Sequence, residues 1–226
     1  MSTYLIIGSG SSFGSALSKK LSESNFVISV SRKDSNLKEK NLKHITIDNY
    51  LEPSFLKVMD EIRSLDDLLV VFLNGVSENS AFYKLTDDEM SKVFYVNTFV
   101  PLTLTRDILN ARINKKTKYI YASSSRGIKG DKGIVIYSAS KNAMIGAVKS
   151  LTKEYSKFDQ EFYILSLGLF SKGLASTLPE RVREEIISST PIPKLVTEDD
   201  LFEVLNAISK SSSMAGSIIK IDYGYT

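Results

Sequence analysis

The run Leu68-Leu-Val-Val-Phe-Leu73 constrains this chain more than any other stretch. A strand points successive side chains to opposite faces, so a strand that is apolar throughout must be covered on both. The centre of a parallel sheet, with helices packed on either side, meets that condition. β-rich segments at Tyr4–Ile7, Phe26–Val30, Ile45–Ile47, Lys118–Tyr121, Tyr163–Ser166 and Ser217–Ile221 supply six more strands. Helical periodicity fills the intervals at Phe13–Ser22, Ser54–Arg63, Thr86–Ala111, Val135–Lys157, about Pro179–Ser188 and Glu198–Ser209. Thr86-x-x-Glu89 reads as a capping box that opens the third helix. Strands that alternate with helices predict an α/β fold: a doubly wound, mostly parallel sheet of seven strands with helices on both faces. No repeat or linker interrupts the pattern, so one domain over 1–226 is expected.

Composition narrows the chemistry. Lys plus Arg is 29 and Asp plus Glu is 26, a net charge of +3 with the basic residues scattered. That balance does not suit a binder of nucleic-acid backbones. There is no cysteine, hence no disulfide framework and no thiol nucleophile. His44 is the single histidine, expected as a surface or packing residue, so no histidine metal site can be assembled. The apolar run at 68–73 is six residues and far too short for a membrane span. Met-Ser-Thr-Tyr-Leu-Ile-Ile-Gly carries no basic region or cleavage site, so no secretory signal is expected and a cytoplasmic protein is. Chemistry here must rest on Ser, Tyr, Lys, Asn and carboxylates.

Two patterns carry such chemistry. The first strand runs into Gly8-Ser9-Gly10-Ser11-Ser12-Phe13-Gly14, and a helix follows at once. Glycines let the backbone turn tightly against a pyrophosphate while the helix N-terminus supplies free N–H donors, and Ser9, Ser11 and Ser12 add hydroxyls. An ordinary strand-to-helix turn of small residues would look the same. The second pattern is Tyr137-Ser-Ala-Ser-Lys141. On a helix these two side chains share a face, and an adjacent ammonium favours the phenolate of a group whose ordinary pKa is about 10. Ser138, Ala139 and Ser140 between them would let a flat cofactor or another helix come close. A half-buried Tyr beside a solvated Lys is the alternative.

The spacing of further residues resembles the short-chain dehydrogenase/reductase family over essentially the whole chain. Ser124 lies thirteen residues before Tyr137, in Tyr-Ala-Ser-Ser124-Ser-Arg-Gly127. Asn74-Gly75 closes the 68–73 strand, and Asn97 follows Gly75 by twenty-two residues. Ile192-Pro193, Glu198-Asp199-Asp200 and the segment Gly216 to Gly224 also resemble the family's C-terminal pattern. The resemblance implies a Rossmann-type NAD(P)-binding domain and an oxidoreductase that interconverts a carbonyl and a secondary alcohol. Tyr137 would pass the proton, Ser124 would hold the substrate oxygen, and Lys141 would lower the tyrosine's pKa and bind the nicotinamide ribose. Asn97 would hold a water linked to Lys141. Pro101, four residues on, has no N–H for the Asn97 carbonyl, which suits such a relay or simply kinks the helix. The implied cofactor contacts are Gly8, Ser9, Ser11, Ser12, Phe13, Gly14, Ser31, Arg32, Asp48, Asn49, Asn74, Gly75, Tyr137, Lys141, Gly168 and Phe170, with no metal.

Some positions depart from the family. Ser12 replaces a glycine of the loop, Leu73 precedes Asn74 where a second asparagine is usual, and Leu167-Gly168 and Lys172 replace a Pro-Gly pair and a threonine. The lid, about 171–195, can be only a modest cap, with apolar Phe170, Leu174, Leu178 and Ile187. Strand two ends in Ser31-Arg32-Lys33, where an NAD-selective fold usually places a carboxylate. Ser31 cannot repel a 2′-phosphate and Arg32 can fork onto one, so NADP(H) is expected over NAD(H). A small-molecule carbonyl or alcohol is the expected partner, and the resemblance implies a homodimer or homotetramer paired through the long helices that hold Asn97 and Tyr137, with Ala139, Ala143, Gly146 and Ala147 allowing close approach. Two other readings stay open: a non-catalytic NADP-binding sensor, and a nucleotide-sugar-modifying enzyme of the same fold.

Overall fold

The computed structural model describes residues 1–34, 37–50, 54–170 and 178–226. Seven strands form one sheet in the order β3-β2-β1-β4-β5-β6-β7. They are β1 (Thr3–Ile7), β2 (Phe26–Ser31), β3 (Leu42–Thr46), β4 (Leu68–Phe72), β5 (Thr117–Ser124), β6 (Gln160–Leu167) and β7 (Ile218–Ile221). Every neighbouring pair is parallel. The expected β4 lies at the centre, buried at all five positions. Its residues divide between two cores, one on each face of the sheet. Leu68, Val70 and Phe72 pack with Leu5 and Ile7, and Leu69 and Val71 pack with Tyr4 and Ile6.

Among the described residues eight α-helices surround the sheet: α1 (Ser12–Ser22), α2 (Leu56–Ile62), α3 (Asp87–Phe94), α4 (Val100–Arg112), α5 (Ser125–Lys129), α6 (Val135–Tyr155), α7 (Glu180–Ser189) and α8 (Glu198–Lys210). Ser11 caps α1 by accepting from the Gly14 N–H, and Thr86 and Glu89 form the expected capping box on α3. The single helix expected over 86–111 is interrupted. A π-helical turn, Tyr95–Phe99, separates α3 from α4, and the Val100 N–H bonds five residues back to Tyr95. Pro101 cannot donate to Asn97, so the regular ladder cannot pass through this point. Two strands are longer than their apolar runs suggest, because β5 and β6 continue to pair through Ser123↔Ser166 and Ser124↔Leu167. The strand order reverses between β1 and β4, and there the chain leaves both strands on the same edge, opening a crevice at their carboxyl ends. His44 accepts the structural part expected of it, paired through Nδ1 with Ser29 Oγ at 2.7 Å.

Candidate active site

Three elements deliver four side chains to this crevice. Ser124 ends β5 and caps α5, its Oγ accepting from the Gly127 N–H at 3.1 Å. Tyr137 and Lys141 share one face of α6. Gly127 lets the two helices approach: a Cβ there would stand 3.4 Å from Tyr137 Cε1 and 3.5 Å from Lys141 Cβ. Asn97 enters from the π turn. Its Oδ1 accepts from the Val76 N–H at 2.8 Å, and its Nδ2 donates to the Val76 carbonyl at 2.9 Å and to Ser140 Oγ at 3.0 Å. Ser140 is wholly buried, and its hydroxyl also lies 2.7 Å from the Tyr137 carbonyl. It is a connecting residue rather than a mere small spacer, which the sequence reading missed.

The electrostatics differ in one respect from expectation. Burial pushes the Tyr137 phenol up from its ordinary value, and the Ser124 hydroxyl and the Arg126 charge oppose that rise. Lys141, expected in that role, stands 6.0 Å from the centroid of the Tyr137 ring and donates to the Ala122 carbonyl at 2.9 Å. Burial holds its own amine down to about 8. Gly75 leaves room above it, because a Cβ there would lie 3.3 Å from Lys141 Nζ and 3.6 Å from Asn97 Oδ1.

The glycine turn is built for close approach. Gly8 has φ +92°, and a Cβ on it would fall 2.7 Å from the Asn74 N. A Cβ on Gly14 would fall 2.7 Å from the Gly8 carbonyl oxygen. Beside this turn Asn74 Oδ1, and beside Ser124 the Ser123 Oγ, are buried without a hydrogen-bond partner among the described residues. Unpaired buried acceptors and donors are costly, so such atoms fit a site that receives a polar ligand. Ser11 and Ser12 are exposed at the turn, whereas Ser9 is wholly buried beneath it, its Oγ also without a hydrogen-bond partner among the described residues. Phe13 is also buried, its ring 3.9 Å from that of Phe170, so the pair ties the turn to the segment after β6. Ser31 is buried and bonds the Lys33 carbonyl, leaving Arg32 exposed at the end of β2. Asp48 and Asn49 are exposed just beyond β3. Gly168 allows a close crossing, since a Cβ would lie 2.9 Å from Asp222 Cα.

A cleft opens in front of Ser124 and Tyr137. Its wall includes Phe170 and Leu178, as expected, but α7 contributes Ile186 and not Ile187. Leu174 and Lys172 lie outside the described residues. The sequence reading did not single out Ser77, Asn79, Arg126 and Tyr225, which also line it. Behind the cleft Asp222 accepts from Ser125 Oγ, from the Gly224 N–H and from Thr226 Oγ1 at 2.7, 3.1 and 2.7 Å. It thereby fixes the residue next to Ser124.

Residues 2–181 match the model of a family described as short chain dehydrogenase. A 3-oxoacyl-(acyl-carrier-protein) reductase FabG from Rickettsia prowazekii (strain Madrid E) is 28% identical, over 98% of this chain and 95% of its own. A solved structure of a 4-hydroxyisoleucine dehydrogenase complexed with NADH superposes with a TM-score of 0.87 at 23% identity, covering 100% and 99% of the two chains. A short chain dehydrogenase family protein from Francisella tularensis does so with a TM-score of 0.83 at 19% identity, covering 100% and 98%.

Proposed function

Since the chain belongs to the short chain dehydrogenase family, an oxidoreductase family, we propose that it reduces a small-molecule carbonyl to a secondary alcohol, or runs the reverse, with a nicotinamide cofactor. The convergence of Asn97, Ser124, Tyr137 and Lys141 at the carboxyl ends of β4 and β5 carries this reading. The glycine turn, Asn74 and Gly75 would hold the dinucleotide, which when bound supplies or accepts the hydride. Ser124 Oγ donates to the carbonyl oxygen and steadies the charge that develops there. The Tyr137 hydroxyl delivers the proton to that oxygen. Lys141 replenishes it, its amine being poised near neutrality by burial. The Asn97 carbonyl, which receives no N–H from Pro101, is the atom we assign to a water reaching toward Lys141.

NADP(H) is the preferred cofactor in this reading. Ser31 offers no negative charge, and the exposed Arg32 supplies a fork suited to a 2′-phosphate. One such contact is worth roughly 1.5–3 kcal/mol, or about tenfold or more in affinity. NADPH is expected to bind more tightly than NADH, and Arg32→Ala to erase the difference. Equal wild-type dissociation constants would refute the preference. The functional test itself is NAD(P)H oxidation against a carbonyl panel with wild type and Tyr137→Phe. The variant loses at least about two to three orders of magnitude in turnover while cofactor affinity stays near wild type. Retention of more than about a tenth of the activity excludes Tyr137 as the proton donor. Tight cofactor binding with no turnover of any carbonyl would favour a sensor instead.

A further inference from the structure

The cleft in front of Tyr137 contains one formal charge among its described lining residues, that of Arg126. This arginine sits two residues after Ser124, on the single turn of α5, with a side chain only 20% exposed. A half-buried cation in a reaction cleft needs a reason. Its ion pair with Asp131, at 2.6 Å through Nε, engages one of five guanidinium donors. Asp131 is not part of the cleft wall, so the pair orients Arg126 from behind. Lys129 lies 4.4 Å over the ring of Tyr225, another wall residue, and adds a second positive charge at the same side. The apolar part of the wall is Ile134, Leu167, Phe170, Leu178 and Ile186. An anion entering here meets an attractive field in surroundings that screen it weakly. A neutral ketone gains nothing from it.

We propose that Arg126 receives a carboxylate of the substrate, so that this site acts on oxo acids and hydroxy acids rather than on neutral ketones and alcohols. This rests on the reductase reading above and adds the substrate class. With the carboxylate forked on Arg126, the oxo group of the same short molecule is delivered toward Ser124 and Tyr137. The cation also acts on chemistry directly, because the Arg126 charge opposes the rise of the Tyr137 phenol that burial causes. A bound carboxylate would partly neutralise that help, so Arg126 is assigned to binding and orientation.

The test titrates short 2-, 3- and 4-oxo acids, their methyl esters and a phosphorylated ketone into the protein with NADPH or NADH present, by calorimetry. The best acid binds at least about tenfold more tightly than its ester, the scale of a charge-assisted hydrogen bond. Arg126→Gln brings acid and ester to within about twofold while leaving the ester's affinity in place, a ratio that a merely structural role would not move. Asp131→Asn, which removes the carboxylate that orients Arg126, weakens acid binding severalfold without moving the ester's and serves as an independent variant. An ester that matches its acid in wild type, a preference that survives in Arg126→Gln, or a phosphorylated ketone that outbinds every acid would each overturn the proposal. Acids bound selectively but never reduced would instead sink the reductase reading and leave Arg126 as a carboxylate receptor.

Discussion

At the scale of single residues, Lys141 works against stability. An amine held down to about 8 gives up its proton in the folded chain more readily than at its ordinary value of 10.5. Above pH 10.5 neither state is charged and there is no cost. As pH falls from about 10.5 to about 8 the unfolded chain takes up the proton first, so stability is lost through that window and stays low below it. Together this amounts to up to roughly 3 kcal/mol at pH 7. Lys141→Met is expected to abolish turnover yet gain about 1–3 kcal/mol at pH 7, the upper part offset by the lost bond to Ala122. The gain shrinks toward pH 10. Melting curves of both proteins at pH 7 and 10 decide this, and a gain independent of pH would contradict it. Helical spacing made the Tyr137–Lys141 pair legible in the sequence, since i and i+4 on a helix fix a shared face, whereas Ser124 was legible through the family resemblance. Arg126 was not legible. Its significance depends on the one turn of α5, too short for any apolar periodicity, and on a cleft wall assembled from distant segments.

At the scale of elements, the turn from β1 into α1 tolerates no added carbon. Gly14→Ala would place a Cβ 2.7 Å from the Gly8 oxygen and 2.9 Å from Ser9 Cα, both backbone atoms that cannot swing aside. Helix α1 must then pull away from the turn. The expected cost is about 1–3 kcal/mol in urea unfolding, by analogy with overpacked cores. Cofactor affinity should fall at least about tenfold as well, because the donors at the helix start are displaced. Unchanged affinity would remove this turn from the cofactor site. Strand positions were readable because β4 is apolar at every residue, whereas the polar ends of β5 and β6 gave no hydrophobic signal. The π turn was half readable: Pro101 announced a break, but only the structure shows it as a shift of the ladder by one residue that points Asn97 at Val76 and Ser140.

At the scale of the whole molecule, one face remains open. Helices α4 and α6 present a groove lined by Leu102, Arg106, Leu109, Leu151 and Tyr155, with Tyr95 and Phe99 exposed on the preceding π turn. Ala139 and Gly146 on α6 are exposed, and a Cβ on Gly146 would meet nothing within 4 Å. We infer a homodimer or tetramer built through these helices, and light scattering at tens of micromolar should return a multiple of the chain mass. A monomer there would count against it. Among the described residues no helix is long and apolar enough to cross a membrane.

The bond from Ser125 to Asp222 joins residues 97 positions apart. Asp222 follows the last strand, and β7 pairs only with β6. Ser125 is also tied to Ser166 on β6, so the bond to Asp222 is a second and more distant tie on the neighbour of Ser124. If Ser124 holds the substrate oxygen as proposed, the last of the bonds behind it closes only once the carboxyl-terminal segment has docked.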